Sequence, residues 1–487
     1  MIASDMVVKT QTTLLQNRRT KIIATVGPAS ATPSVLEALI LAGVNVFRLN
    51  MSHGTHADHR KVDERIKQAS AALKRPVAVL ADLCGPKIRT GRFPDGAIEL
   101  VAGEQVTIST THDVGGDGLI ATSYKALATD VQAGDAILLA DGLFELRVLS
   151  TSATEAVCEV VHGGRLGDNK GINLPGVDVS ARSLTEKDRA DARFALDLKV
   201  DFIALSFVRT AEDILDLRRE IDQHANRALI VAKIEKPEAL QHADEILDAT
   251  DAIMIARGDL GVELLPEQVP TAQRQLIDLA QLAQKPVIVA TQMLESMMQS
   301  SRPTRAEVTD VFHAVESQAD AVMLSAETAV GEFPLESVDM MHRIARQTEA
   351  QLWNRGEYGL MAVQQTPPVP LWNVIATTTS RMSRDLMARA VMVVTRSGKS
   401  AEIVATARPA SPIVAMTHDA AVYRKLCLRW GVIPILDTKV GSQDPNDLAR
   451  QYARELALAV PGEMVLLVRG FHGEQDKSLP SVTVIVV

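Results

Sequence analysis

Two short apolar runs in this chain end in groups suited to handling a phosphoryl substrate. The run 228–232 is followed by Lys233-Ile234-Glu235, and the run 252–256 by Arg257-Gly258-Asp259. On neighbouring strands these residues put a lysine, an arginine and two carboxylates on one rim. Paired carboxylates are hard oxygen ligands for a divalent metal. A lysine beside them can offset charge on a phosphoryl group in transfer. The plainer reading keeps all four in ion pairs, Glu235 and Asp259 with Lys233 and Arg257, since structural pairs also gather at such rims.

The elements that must position these groups are legible too. Strands are expected over 21–26, 44–49, 77–81, 201–207, 229–234, 252–256, 287–291 and 321–324. Their continuous apolar runs suit parallel strands covered on both faces. Helical spacing follows most of them, over 33–42, 212–223 and 267–284. The first of these helices opens after Thr32 with Pro33 and stops at Gly43. Eight strands alternating with helices predict a (β/α)8 TIM barrel, whose chemistry collects where the strands end. Those ends carry Arg48, Asp82, Lys233, Glu235, Asp259, Thr291, Ser325 and Glu327.

Residues 88–182 interrupt the pattern between the third and fourth strands. Turn signals at Pro94-Asp95-Gly96, Gly115-Gly116, Asp141-Gly142 and Gly163-Gly164 separate short alternating stretches. This predicts an inserted all-β domain, a β-barrel placed as a lid over the rim. The main barrel then comprises 1–87 and 183–350, resuming at Ser183-Leu184-Thr185-Glu186, read as a capping box led by Ser183. After a Pro-rich linker over 366–370, strands over 390–395, 412–416, 432–436, 464–468 and 482–487 predict a C-terminal α/β domain, 351–487. Its turn Thr395-Arg396-Ser397-Gly398-Lys399-Ser400 joins a strand to a helix. Amides at a helix start, with hydroxyls and a lysine, make an anion site; the same residues also serve as an ordinary turn.

Composition narrows the class. A chain of 487 residues is too long for one core, and 46% hydrophobic with 23% charged residues is ordinary for a globular protein. A net charge of −9 with only 3% aromatics argues against a nucleic-acid partner. Cys84, Cys158 and Cys427 are scattered and form no C-x-x-C, so neither disulfides nor zinc are expected and a reducing cytoplasm fits. No run reaches the roughly 18 apolar residues that span a bilayer, and residues 1–19 lack an apolar signal core. A cytoplasmic protein without a membrane partner is expected.

The stretches Thr20-Lys21-Ile22-Ile23-Ala24-Thr25-Val26-Gly27-Pro28 and Asn45-Val46-Phe47-Arg48-Leu49-Asn50-Met51-Ser52-His53-Gly54 resemble pyruvate kinase. So do 231–235, 255–261, 289–296 and 323–328, and the resemblance spans almost the whole chain. It implies conversion of phosphoenolpyruvate and ADP to pyruvate and ATP in a barrel with a lid and an effector domain, assembled as a homotetramer. It implies Mg²⁺ or Mn²⁺ on Glu235 and Asp259, and Lys233 and Arg48 on the phosphoryl group. The amides of Gly258 and Asp259, with Thr291, would hold the substrate. Asn50, Arg89 and Lys187 are assigned to the nucleotide phosphates. Thr291, Ser325 and Glu327 would relay a proton to the enolate. A phosphorylated effector would bind at Thr395, Arg396, Ser397, Gly398, Lys399 and Ser400.

One pocket departs from the family pattern. Asn50, Ser52 and Asp82 match its monovalent-cation site, but there a Thr follows the aspartate and a Glu stands four positions later. Here these are Leu83 and Lys87, and Cys84 replaces a lysine before Gly85. A tethered ammonium at Lys87 would substitute for the ion, so K⁺ should not be required. Two alternatives are a metal-dependent aldolase acting on pyruvate enolate, which needs no lid or nucleotide site, and a non-catalytic metabolite sensor. Intact Lys233, Glu235, Asp259 and Thr291 argue against the sensor.

Overall fold

The computed structural model describes residues 18–358, 367–470 and 479–487; part of the expected linker, at Thr366, lies outside them. Eight parallel strands close a barrel: β1 (Lys21–Thr25), β2 (Val46–Asn50), β3 (Ala78–Asp82), β4 (Phe202–Leu205), β5 (Leu229–Ile234), β6 (Ala252–Ala256), β7 (Val287–Ala290) and β8 (Ala321–Leu324). Each pairs with its sequence neighbour, and β1 closes on β8. β5, β6 and β8 span the expected residues, and the others differ at their ends. β4 stops at Leu205 because Phe207 turns to φ 54° and gives its amide to Glu235 instead of a ladder. β7 stops before Thr291, which takes φ 66°.

Inward side chains such as Ile23, Leu80, Val231 and Met254 fill the barrel, and Cys427 and Leu428 of the C-terminal region join the same cluster. The barrel floor shows a repeat. Asn45, Asp201, Asp251 and Asp320 stand directly before β2, β4, β6 and β8. Each accepts a backbone amide of the preceding strand: Ile22 at 3.0 Å, Val79 at 3.0 Å, Ile230 at 2.8 Å and Val287 at 3.0 Å. Each also holds an arginine: Arg18 at 3.1 Å, Arg424 at 2.9 Å, Arg218 at 2.9 Å and Arg408 at 3.0 Å. Alternate strands contribute to one layer of a barrel, which explains the recurrence on even strands. Arg424 and Arg408 come from the C-terminal region, so the carboxylates that tie the strands also dock that region. Arg408→Ala would leave Asp320 charged and buried. It should cost about 3–5 kcal/mol of stability, read as a lower denaturant midpoint.

The insertion forms a six-stranded sheet, ordered Ile172–Asn173, Ala136–Leu139, Phe144–Thr151, Glu155–His162, Gln105–Ser109, Leu119–Ala121, beside the pair Gly164–Gly167 and Ala97–Leu100. The edge strands, of 2 and 3 residues, do not pair with each other directly; residues 88–91 lie between them, with the Ile172 amide donating to the Ile88 carbonyl at 2.9 Å and the Gly91 amide to the Ala121 carbonyl at 2.7 Å. Ala97–Leu100 and Gln105–Ser109 are separated by a turn at Gly103 (φ 85°). The capping box differs from expectation. Thr185 caps the helix Glu186–Asp197, exchanging hydrogen bonds with Asp188, while Ser183 donates to the Phe207 carbonyl.

The C-terminal region carries a five-stranded sheet ordered Val432–Leu436, Ile413–Thr417, Val391–Val394, Met464–Arg469, Ser481–Val486, with the last strand antiparallel. No helix among the described residues is long and apolar enough to cross a membrane.

Candidate active site

Lys233, next to last in β5, is the hub. Its ammonium donates to Ser206 Oγ at 2.7 Å and lies 2.9 Å from Glu235 Oε1 and 3.3 Å from Asp82 Oδ1. Burial alone would strip its proton, but the carboxylates of Asp82 and Glu235 outweigh burial and hold its pKa above the usual lysine range. Asp82 ends β3 and is 1% exposed along its side chain, with Arg48 Nε 2.6 Å from Oδ2. Burial would raise its pKa; Lys233 and Arg48 reverse that and keep it ionised. Arg48 Nη1 also donates to Thr25 Oγ1 at 3.0 Å. The guanidinium is thus fixed at the rim by two side chains.

These strand ends meet closely. Gly85 sits at φ 67°, and a Cβ there would lie 2.8 Å from the Phe207 ring and 2.9 Å from Ser206 Cβ. Only glycine lets the turn after β3 lie against the turn after β4.

Glu235 receives the Phe207 amide at 2.7 Å on its other oxygen. Burial pushes its carboxyl pKa up, Lys233 pulls it down, and the like charge of Asp259 pushes it up again. Asp259 is half-buried in the first turn of the helix Arg257–Glu263 and makes no ion pair or side-chain hydrogen bond among the described residues. Arg257 is committed elsewhere, 2.6 Å from Asp310 Oδ1 and 2.7 Å from the Thr291 carbonyl. The ion-pair reading therefore describes Lys233 and Glu235 but not Arg257 and Asp259. Two mutually repelling carboxylates, one without a partner, are a donor set that fits a hard divalent cation.

Thr291 holds a backbone conformation costly for a β-branched residue. Its hydroxyl accepts from the Gly258 amide at 2.7 Å and donates to the Ala290 carbonyl at 2.6 Å. The Gly258 amide, expected to face a substrate carboxylate, is thus held by Thr291. Glu327 accepts from the backbone amides of Ser325 at 2.6 Å and Leu294 at 3.2 Å, and burial pushes its pKa up. The Ser325 hydroxyl is buried and lacks a hydrogen-bond partner among the described residues. No direct hydrogen bond links the Thr291 hydroxyl, the Ser325 hydroxyl and the Glu327 carboxylate, so the expected relay is not pre-connected.

A cleft of about 380 Å³ lies between this rim and the insertion, with Lys87, Arg89, Lys170, Arg209, Lys236 and Asp259 on its walls. Arg89 donates to the Asn169 carbonyl at 2.8 Å. Lys187 donates to the Met51 carbonyl at 2.8 Å and pairs with Asp191 at 2.6 Å. Asn50 Oδ1 accepts the Ser52 amide at 3.1 Å, and Leu83 is buried. Lys87 was expected to stand in for a cation beside Asp82; instead the turn through Gly85 and Pro86 carries it, exposed, to the cleft. Asp82 is matched by Arg48 and Lys233.

The anion loop is distant from this rim in the chain. Thr395 Oγ1 accepts the Gly398 amide at 2.9 Å, and Gly398, at φ 90°, caps the helix Lys399–Thr406. Arg396, Ser397 and Lys399 are exposed and Ser400 is buried. Lys399 lies 4.0 Å from Glu402, whose other oxygen pairs with Arg429 at 3.0 Å.

Sequence reading missed Ser206, Thr25 and the Phe207 amide. Ser206 was hidden because 201–207 reads as one strand; a hydroxyl closing an apolar run was the signal available. Comparison with known proteins gives a consistent result. Residues 17–338 match the family model for the pyruvate kinase barrel domain, and 373–485 the model for the pyruvate kinase alpha/beta domain. A pyruvate kinase of Agrobacterium vitis is 41% identical over 476 residues, covering 97% of both chains. One from Corynebacterium glutamicum is 43% identical over 458 residues, covering 93% of this chain and 94% of that one. A crystal structure of a pyruvate kinase from Cryptosporidium parvum superposes with a TM-score of 0.90 at 36% identity, covering 98% and 97% of the two chains.

Proposed function

Because this chain belongs to the pyruvate kinase family of phosphotransferases, we propose that the strand-end cluster moves the phosphoryl group of phosphoenolpyruvate to ADP, as a step of glycolysis. The observation that carries this reading is the buried Lys233 ammonium, kept charged by Asp82 and Glu235 beside the unpartnered Asp259. Arg48 and Lys233 hold the phosphoryl oxygens. The Lys233 charge gains value as negative charge builds on the enolate oxygen, so it acts most in the transition state. A divalent ion bound by Glu235 and Asp259 would supply Lewis-acid polarisation of the substrate oxygens. Arg89 and Lys187 offset the nucleotide phosphates, with Asn50 at the same rim. The insertion covers the cleft and excludes water.

Thr291 and the unengaged Ser325 hydroxyl are the groups set to pass a proton to the enolate, while Glu327 fixes their turns through backbone amides. A lactate-dehydrogenase-coupled assay tests the reading: pyruvate must form only when phosphoenolpyruvate, ADP and Mg²⁺ or Mn²⁺ are all present. An aldolase would release pyruvate from a 4-hydroxy-2-oxo acid without ADP and none from phosphoenolpyruvate, and a sensor would make none from either. The protein is further read as a cytoplasmic homotetramer, with 1–87 and 183–350 catalytic, 88–182 a lid and 351–487 regulatory.

The loop Thr395–Ser400 is read as the site of a phosphorylated activator, supported by exposed Arg396, Ser397 and Lys399 at a helix start. The double variant Lys399→Ala, Ser400→Ala should lose activation by sugar phosphates and AMP. Unchanged activation curves for all of them would remove the assignment.

Potassium should not be needed. Two of the three pocket residues already face protein cations or donors: Asn50 Oδ1 has the Ser52 amide, and Asp82 has Arg48 at 2.6 Å and Lys233 at 3.3 Å. Lys87 adds an exposed positive charge to the cleft wall. Initial rates in tetramethylammonium buffer should change by less than about twofold on adding K⁺, a difference near 0.4 kcal/mol. A rise of about tenfold or more would contradict this.

A further inference from the structure

Lys187, read above as a ligand of the nucleotide phosphates, shares its carboxylate with a histidine. Asp191 lies one turn further along the helix Glu186–Asp197 and is 5% exposed along its side chain. Its Oδ2 takes the Lys187 ammonium at 2.6 Å, and its Oδ1 lies 2.7 Å from His56 Nε2. A carboxylate only accepts, so Nε2 carries the proton of that bond. The imidazole is fixed by more than this contact. It stacks on Phe194 of the same helix with ring centroids 4.0 Å apart and planes 1° from parallel, and Arg60 also lies over Phe194, 5.3 Å from its centroid. Lys187 itself is held to the Met51 carbonyl, in the loop between β2 and the helix His56–Leu73.

We propose that His56 is a positioning residue for the nucleotide: by occupying one oxygen of Asp191 and fixing its plane, it leaves Lys187 only half neutralised and aimed over the Met51 loop toward the incoming phosphate. Without His56, both oxygens of a buried carboxylate fall to Lys187, the only other side chain hydrogen-bonded to it among the described residues. An i,i+4 pair then draws the ammonium down onto its own helix and competes with the phosphate. His56 is the first residue of its helix, and the capping box of Thr55 and Asp58 does not use its side chain. Replacing it therefore leaves the helix start intact.

This inference rests on the reading of Lys187, so the test includes both residues. Initial rates at saturating Mg²⁺ would give kcat and the KM values for ADP and phosphoenolpyruvate in His56→Ala, His56→Gln, Lys187→Met and the double variant His56→Ala, Lys187→Met. His56→Ala should raise the KM for ADP about tenfold, while kcat and the KM for phosphoenolpyruvate move less than about twofold. His56→Gln, whose amide can still donate to Asp191, should recover most of the loss. In the Lys187→Met background, His56→Ala should add less than about twofold, because the two act as one unit. An unchanged KM for ADP in His56→Ala, an equal rise in both KM values, or full additivity with Lys187→Met would overturn the proposal. A Lys187→Met enzyme with an unchanged KM for ADP would instead refute the nucleotide role of Lys187, and the His56 inference with it.

Discussion

Lys233→Met should bind phosphoenolpyruvate nearly as well as the parent and turn it over at least about a thousandfold more slowly, a loss near 4 kcal/mol. Methionine keeps the length and apolar stem of lysine but removes the charge. Ground-state binding retains Arg48, which is fixed by Asp82 and Thr25 at 2.6 and 3.0 Å. The transition state loses the buried Lys233 ammonium, which lies within reach of both Asp82 and Glu235. The effect should therefore appear in kcat and in kcat/KM alike. Retention of more than about a tenth of the parental kcat, a cost of only about 1.4 kcal/mol, would contradict the assigned role.

Glu235→Gln should weaken binding of Mn²⁺, followed by electron paramagnetic resonance, on the order of a hundredfold, or about 2.7 kcal/mol. It should also lower kcat/KM by a comparable factor or more. The variant keeps the shape and can still accept the Phe207 amide at 2.7 Å. It loses the negative charge that repels Asp259 in the free enzyme and would attract a divalent ion in the loaded one. Lys233 loses a partner as well, so part of the kinetic loss passes through the lysine; the metal titration separates the two. Unchanged Mn²⁺ affinity would mean that Glu235 serves only as the counter-ion of Lys233.

Much of this site was legible because barrel strands are apolar runs and chemistry sits at their ends. Lys233, Glu235 and Asp259 stand out as charges closing buried runs, and their strands β5 and β6 span the residues that the pattern indicated. Turn geometry was less legible. Nothing in a one-letter run says that Phe207 and Thr291 take left-handed conformations, yet these set the ends of β4 and β7 and direct an amide and a hydroxyl into the site. Long-range side-chain choices were also hidden. Sequence adjacency suggested Arg257 as the partner of Asp259, but its partner is Asp310, more than fifty residues later. Likewise Lys87 is near Asp82 in sequence, and the Gly85 turn carries it away. The Ser183 cap was misplaced because Ser-x-x-Glu and Thr-x-x-Asp overlap there, and the buried Asp188 decided which one closes.

The most direct test of the central claim is ³¹P NMR of the protein with phosphoenolpyruvate, ADP and Mg²⁺. The phosphoenolpyruvate resonance should fall as the γ-phosphate of ATP rises in equal amount, with no inorganic phosphate, and Lys233→Met should abolish both changes on the same timescale. Loss of phosphoenolpyruvate into inorganic phosphate, or pyruvate formed without ATP, would contradict phosphoryl transfer to the nucleotide at this rim.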